Sequence, residues 1–342
     1  MEFDLDPERV NLFAEEHAHP FARLTPDQIV IALLQHGFEA DGRIMALNSY
    51  ENRVFQVGLD QGGFLIAKFY RPGRWSDEAI LEEHAYLNAL AEAEVPVSGV
   101  IANHEGQTLF KADGYRFSLS PRMGGRVPEI EDLDTLEALG RLIARMHAIG
   151  KKTPFVHRPE VSPLTYGHLP AERILASGLI PSNRVKAYES ALRSALMLVD
   201  EAFSRAQPLE RLRLHADLYA GNILDTGEGP LLLDFDDARM GPRVQDLWML
   251  AQGSDQERQI ALMTLIEGYD TFEAFDLKEL RLIEPLRTLR LIHFTEWLSA
   301  RTQDPAFFSV FPHFGSDHDW IERTVELQEQ IERMQIEGLG LF

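Results

Sequence analysis

An α+β fold in two lobes, a small β-rich N-lobe and a large helical C-lobe, is the class this sequence predicts, and three observations predict it. Short apolar runs bounded by turn residues crowd the first 120 positions. From residue 132 onward, apolar residues recur at helical spacing. One dense polar stretch fits neither pattern: Leu214-His215-Ala216-Asp217-Leu218-Tyr219-Ala220-Gly221-Asn222, followed by Leu231-Leu232-Leu233-Asp234-Phe235-Asp236-Asp237. That stretch reads as the seat of chemistry. The expected divisions are an N-terminal arm over 1–24, an N-lobe over 25–120 and a C-lobe over 121–342.

Taken in order, Thr25-Pro26-Asp27 supplies an N-cap, a first-turn Pro and an acid, opening a helix that Gly37 closes. Ile44–Leu47, Val54–Gly58 and Phe64–Tyr70 read as three strands, joined by Asn48-Ser49-Tyr50-Glu51-Asn52 and Asp60-Gln61-Gly62-Gly63. Ser76 caps the next helix, which runs to about Glu92 with Ile80, Glu83, Leu87 and Leu90 on one face. Val100–Ala102 and Tyr115–Leu119 look like two more strands, and Ser120–Gly125 is the break expected between lobes. An amphipathic helix over Asp132–Ile149 recurs on Leu136, Leu139, Leu142, Ile143 and Met146. A Pro-rich loop follows to Pro181, then a helix from Asn183 to about Arg205. Past Asp246 the pattern is helical. Asp276-Leu277-Lys278-Glu279 reads as a capping box opening a long helix that Pro285 bends, and the aromatics from Phe307 to Trp320 read as core or groove lining.

Composition excludes several functions. Lys+Arg 33 against Asp+Glu 54 leaves a net charge of −21, which disfavours nucleic acid and anionic membrane as partners. No cysteine is present, so disulfides, thiolate nucleophiles and Cys-bound zinc are out. The start, Met1-Glu2-Phe3-Asp4, lacks the basic and apolar regions of a signal peptide, and no apolar run approaches the length of a membrane span. A cytoplasmic, monomeric enzyme is the expectation.

Asp217 and Asn222 stand five apart, the separation used in the kinase catalytic loop by the Asp that accepts the acceptor-hydroxyl proton and the Asn that holds Mg²⁺. Leu231–Leu233 reads as a buried strand whose end delivers Asp234, a second metal-holding Asp, and the turn-rich Asp225–Pro230 lets a hairpin set Asn222 and Asp234 on one cation. Mg²⁺ suits this set because it is hard, takes oxygen ligands and is usually completed by substrate phosphates. Lys68 lies in the third strand, where kinases keep the lysine that grips ATP phosphates and pairs with a helix Glu; Glu83 is on the apolar side, with Glu82 one residue away as the alternative. The turn before the second strand lacks the G-x-G-x-x-G signature, leaving Ser49 and Asn52 as donors toward phosphate. His215 is expected to steady the loop. Asp236 and Asp237 are candidates for the metal shell, although one of them is expected to do no more than bond nearby backbone.

Across nearly its whole length the chain resembles the aminoglycoside phosphotransferase and choline kinase-like superfamily. The markers are Leu47–Val54, Lys68-Phe69-Tyr70-Arg71-Pro72, Ile80–His84, the catalytic loop, and Asp236–Arg239 with Gly241-Pro242 and Gln245–Leu250. Two positions depart from it: Ala216, where the superfamily mostly has Gly, and Tyr219, where it often has His. The resemblance implies a protein-kinase-like fold, a nucleotide-touching Ser49 and a buried Asp246 bracing the catalytic loop. It lies nearest the bacterial protein kinases of the group, which implies a protein Ser/Thr acceptor and a stress-response role. The leading expectation is therefore an ATP- and Mg²⁺-dependent phosphotransferase with Asp217 catalytic, Ser49, Lys68 and Glu83 on the nucleotide, and Asn222 and Asp234 on the metal. The runner-up is a small-molecule kinase for aminoglycosides, amino alcohols or sugars. A non-catalytic ATP-binding scaffold is third, disfavoured because the Asp, Asn and Asp positions are intact.

Overall fold

A computed structural model of the protein describes residues 20–336. In chain order the elements are α1 (Pro26–Gln35), β1 (Ala40–Leu47), β2 (Arg53–Leu59), β3 (Phe64–Tyr70), α2 (Asp77–Glu92), β4 (Phe110–Ala112), β5 (Tyr115–Pro121), α3 (Leu133–Gly150), α4 (Leu169–Ala176), α5 (Val185–Arg205), β6 (Leu212–Leu214), β7 (Ile223–Asp225), β8 (Pro230–Leu232), β9 (Arg239–Gly241), α6 (Asp255–Tyr269), α7 (Ile283–Ser299), α8 (Phe307–Val310) and α9 (Asp317–Gln335). Two compact units share them. The first takes the chain up to Arg126 together with Leu224–Asp236 and Gln303–Val310; the second takes Val127–Ile223, Asp237–Thr302 and the chain from Phe311. Neither unit is continuous in sequence. No helix among the described residues is long and apolar enough to cross a membrane.

The first unit is built on an antiparallel sheet in the order β1-β2-β3-β5-β4. Strand alternation explains its two faces. Phe55, Val57, Leu65, Ala67, Phe69, Phe117 and Leu119 point to one side and bury against Ile29, Ala32 and Leu33 of α1. Lys68, one residue out of step with Ala67 and Phe69, goes to the other side, paired in register with Val54 and Ser118. Helix α1 begins as expected, with a capping box in which the Thr25 N–H donates to Gln28 Oε1 at 3.0 Å. Of the arm expected over 1–24, residues 1–19 lie outside the described residues. Phe21 and Leu24 are buried in the sheet core, Phe21 stacking on Tyr115 at 5.9 Å.

Two strand expectations are corrected here. Val100–Ala102 is not a strand, although the Ile101 N–H donates to the Leu119 carbonyl at 2.7 Å. The partner of β5 is β4, joined to it by Asp113-Gly114, both at positive φ as a two-residue hairpin demands. The break expected at Ser120–Gly125 starts later, because Ser120 and Pro121 still pair with Ile66 and Leu65. The β7–β8 hairpin joins this unit through backbone bonds: Ser98 N–H to the Leu232 carbonyl, Leu232 N–H to the Pro96 carbonyl, and a reciprocal pair between Arg126 and Asp225.

The second unit is helical, with α3 packed on α6 and α5 on α9. Inside the Pro-rich stretch expected to be loop, Pro163–His168 forms a single π-helical turn and α4 follows, each with a proline in its first turn, where a missing N–H costs nothing. The capping box expected at Asp276 is also corrected. Asp276 caps a 3₁₀ stretch, Leu277–Leu282, and Glu279 turns inward to accept the Val244 N–H at 3.0 Å. As α7 starts only at Ile283, Pro285 falls in its first turn and does not bend it. Trp320 and Phe307 are fully buried, whereas Phe308 is exposed.

The α3–α6 crossing depends on two glycines. A Cβ on Gly140 would lie 2.1 Å from the Leu265 carbonyl oxygen, and one on Gly268 would lie 2.2 Å from that of Glu137. In an isolated helix Gly→Ala gains about 1 kcal/mol of propensity. Here the added methyl meets rigid backbone, and overpacking of this kind costs about 1–3 kcal/mol or more. Gly140→Ala is therefore expected to lower the urea unfolding midpoint; an unchanged or raised midpoint would show that the helices separate at no cost.

Candidate active site

In the first unit Lys68 is the centre of the expected site. Its Nζ lies 3.1 Å from Asp236 Oδ1, 3.2 Å from Asp234 Oδ1 and 3.5 Å from Glu83 Oε1. Glu83, buried in α2, is thus the helix partner; α2 turns Ile80, Glu83, Leu87 and Leu90 inward together. Burial alone would lower the lysine pKa, but the carboxylates of Asp236, Glu83 and Asp234 outweigh it and hold the ammonium well above its usual range. Asp234 sits at φ +53 with its side chain 55% exposed, the most open of the three acids.

Asp236 does more than the sequence suggested. It is buried, ion-paired to Lys68, and also accepts from Arg74, which reaches Glu51 of the β1–β2 turn at 3.5 Å. The D-x-D spacing was a signal for it; nothing in the sequence marked Arg74. Ser49, in the same turn, donates its hydroxyl to the Asn52 carbonyl at 3.1 Å. The Ser49 carbonyl accepts from Arg53, and Asn52 Oδ1 accepts the Arg71 N–H. Asp304 closes this neighbourhood, taking Arg71 through both oxygens at 2.7 Å and the Tyr50 hydroxyl at 3.4 Å.

The second unit carries Asp217 and Asn222. Short strand β6 pairs with β9 and feeds the loop that follows. Asp246, fully buried, accepts the His215 N–H at 2.9 Å and the Ala216 N–H at 2.7 Å, and its Oδ2 lies 3.0 Å from His147 Nε2. An ionised carboxylate only accepts, so His147 donates from Nε2 and takes the Tyr269 hydroxyl on Nδ1 at 3.0 Å. Burial lowers the pKa of His147 despite Asp246, which keeps the ring neutral. Gln245 Nε2 adds a bond to the Ala216 carbonyl at 2.9 Å. Ala216 itself sits at φ +69, the left-handed region that favours glycine. Asn222 donates from Nδ2 to the Asp217 carbonyl at 2.9 Å, bracing the loop from within. His215 is fully buried inside this scaffold, while Tyr219 is exposed.

Asp217 has a partner that sequence reasoning missed. Arg290 of α7 donates from Nη1 to Asp217 Oδ1 at 2.5 Å, across 73 residues of chain with no local signal to announce it. Asp237 pairs with Arg239 at 3.1 Å rather than with the Lys68 group.

Comparison with known proteins bears on the whole chain. The model of the phosphotransferase enzyme family matches residues 43–283. Stress response kinase A of Escherichia coli (strain K12) is 41% identical over 324 residues, which is 95% of this chain and 98% of that protein. The serine/threonine protein kinase RdoA of Salmonella typhimurium (strain LT2) is 41% identical over 315 residues, 92% of this chain and 95% of its own. Among solved structures, an amicoumacin kinase in complex with AMP-PNP, Ca²⁺ and Ami aligns with a TM-score of 0.69 at 18% identity, covering 90% of this chain and 94% of that one. A microcompartment-associated aminopropanol kinase aligns at 0.65 and 18% identity, covering 92% and 100%. At such identities these two structures carry the fold, a kinase-like one with a small β-rich lobe and a larger helical lobe.

Two outcomes follow from the loop scaffold. Removing the Cβ from a residue held in the left-handed region relieves about 1–2 kcal/mol, against about 0.8 kcal/mol for a lost buried methyl and about 0.5–1 kcal/mol of glycine entropy. Ala216→Gly should therefore be close to neutral, whereas Ala144→Gly, buried in the middle of α3, should cost about 2 kcal/mol. Equal losses in thermal melts of both would remove the strain at Ala216.

The second outcome concerns Glu279, which supports the Val244–Asp246 turn and whose pKa burial pushes up to about 7 from 4.5. With the folded pKa raised, the folded state holds the extra proton; the contribution is complete below pH 4.5 and lost as pH rises to about 7. Its size is about 3 kcal/mol. Glu279→Gln should erase that decline, gaining on wild type between pH 4.5 and 7 in denaturant titrations; parallel pH curves for the two proteins would contradict it.

Proposed function

This chain belongs to the phosphotransferase enzyme family and is a kinase, and from that premise we propose that it is an ATP- and Mg²⁺-dependent serine/threonine protein kinase of the stress response, acting in the cytoplasm. The observation that carries the nucleotide part is the Lys68 cluster. A strand lysine paired with a buried helix Glu supports a phosphate grip, and Lys68, kept charged by Asp236, Glu83 and Asp234, has that pairing with Glu83. Ser49 is assigned to the nucleotide on the strength of the family resemblance; its hydroxyl, which donates to the Asn52 carbonyl, would exchange that bond for one to a phosphate oxygen. The protein acceptor is supported by the relatives' names, stress response kinase A and serine/threonine protein kinase RdoA, at 41% identity over nearly their full lengths.

The residues also fit a hard divalent cation. Glu51, Glu83, Asp234 and Asp236 stand against Lys68 and Arg74, four negative charges to two positive, so the group has a residual charge of −2. Among the described residues no three His, Asp or Glu side chains are arranged to hold a metal by themselves. In this reading Asp234 and Asn222 would each offer a protein oxygen to the cation, which would otherwise rely on phosphate and water oxygens. Bound Mg²⁺ would neutralise charge on the transferred phosphoryl group. Asp217 orients the acceptor hydroxyl and takes its proton, while Asp246, through the His215 and Ala216 N–H groups, keeps the loop that carries it in place.

Asp217→Asn keeps size and removes the carboxylate. Phosphoryl transfer should fall about 10²- to 10⁴-fold while the Kd for ATP changes little, since nucleotide is assigned to other residues. The measurement is radiolabelled phosphate on a Ser/Thr protein acceptor, on the enzyme itself and on a panel of small alcohols and aminoglycosides, for wild type and variant side by side. Equal labelling by both would take Asp217 out of the mechanism. Labelling of a small alcohol with none on any protein would make this a small-molecule kinase.

A further inference from the structure

The proposed catalytic carboxylate is already engaged by a cation that no sequence pattern announced. Arg290 donates to Asp217 Oδ1 at 2.5 Å, and its side chain remains 44% exposed against 27% for Asp217. The guanidinium has five N–H donors in a fixed fork, so one bond to Asp217 leaves donors directed at solvent beside the proposed acceptor position. The surrounding charges come out even: Asp217 and Asp237 against Arg290 and Arg239, with Asp237 itself engaged by Arg239 at 3.1 Å. Tyr166 lies under the Arg239 guanidinium, 5.0 Å from ring centroid to Cζ, and stacks on His293 of α7 at 4.1 Å. Burial pushes its phenol up to about 12, so it adds no negative charge at neutral pH.

These contacts oppose the inference that total charge invites. A net −21 suggests affinity for polycations. An ammonium-bearing acceptor, however, would bring its charge against Arg290 at the carboxylate that must orient its hydroxyl. Like charges brought together at a recognition site are strongly disfavoured. An acceptor with a carboxylate beside its hydroxyl has the reverse experience: it takes up the outward donors of Arg290 in a charge-assisted, bidentate bond and leaves Asp217 to the hydroxyl.

We propose that Arg290 is the residue that selects the acceptor by charge, favouring a Ser or Thr flanked by acidic side chains and rejecting cationic acceptors. The proposal deepens the kinase reading above and rests on Asp217 being the residue that orients the acceptor.

The test uses the full-length protein with Mg²⁺-ATP and two matched acceptor pairs. One pair is a serine peptide flanked by Asp and the same peptide flanked by Lys; the other is 3-hydroxypropanoate and 3-aminopropanol. The readout is the ratio of kcat/KM, acidic over basic, within each pair, for wild type, Arg290→Lys and Arg290→Gln. Because both acceptors meet the same protein sample, a general loss of folded enzyme cancels from the ratio. In wild type the acidic acceptor should be favoured about tenfold or more. Arg290→Lys should keep the direction of that preference, and Arg290→Gln should bring the ratio near one. A wild-type preference for the basic acceptor, or an acidic preference that survives intact in Arg290→Gln, overturns the proposal. Transfer to the small acceptors with none to either peptide would defeat the protein-kinase reading instead, and the small pair would still decide the role of Arg290 by the same ratio.

Discussion

A single fully buried carboxylate, Asp246, organises the chemistry-bearing loop. Its two oxygens accept the backbone N–H groups of His215 and Ala216 and bond the neutral ring of His147. Such a charge in an apolar interior would be costly if any of these donors were missing. The loop conformation and the charge of Asp246 therefore stabilise each other. The strained Ala216, at positive φ, survives because both its N–H and its carbonyl are held, the latter by Gln245. Helix α3 contributes His147 and α6 contributes Tyr269, so the close α3–α6 crossing is part of the same support.

The first unit solves a different electrostatic problem. Lys68 could remain charged among apolar neighbours only with compensating acids, and three approach it within 3.5 Å. They differ in freedom. Glu83 and Asp236 are buried and fixed, while Asp234, on a left-handed backbone, is open to solvent. That difference separates the two buried partners of Lys68 from the one whose carboxylate reaches solvent. Arg74 ties Asp236 to Glu51, and Asp304 ties Arg71 to Tyr50, so the turn carrying Ser49 is anchored by ion pairs and not by glycines. This gives a physical reason why the turn can dispense with a glycine-rich sequence.

Net charge and local charge point in opposite directions here. The chain as a whole is strongly acidic, yet the immediate surroundings of Asp217 are balanced by Arg290 and Arg239. Global charge sets long-range steering, which falls off beyond about 10 Å at moderate salt. Discrimination between acceptors is decided within hydrogen-bonding distance, where Arg290 stands.

What the sequence determined by itself was everything that short-range periodicity and spacing encode. The three hairpin strands, the capped helices α1, α2 and α3 and the place of Lys68 in β3 were legible, because each depends on residues within one element or one hairpin. The choice between Glu82 and Glu83 stayed open in the sequence, and the structure settled it by burying Glu83 against Lys68. Other features were legible in part: Asp113-Gly114 is a hairpin signal, but the short strand before it was obscured by the apolar run at Val100–Ala102. Tertiary structure alone decided the rest. Glu279 left its expected cap for the Val244 N–H, Asp236 and Arg74 joined the Lys68 group, Asp304 reached Arg71 from 233 residues away, and Arg290 reached Asp217. The reason is that a charged side chain takes its partner from whatever the packing brings within about 4 Å, and that neighbourhood is set by the crossing of elements far apart in sequence, which no local pattern records.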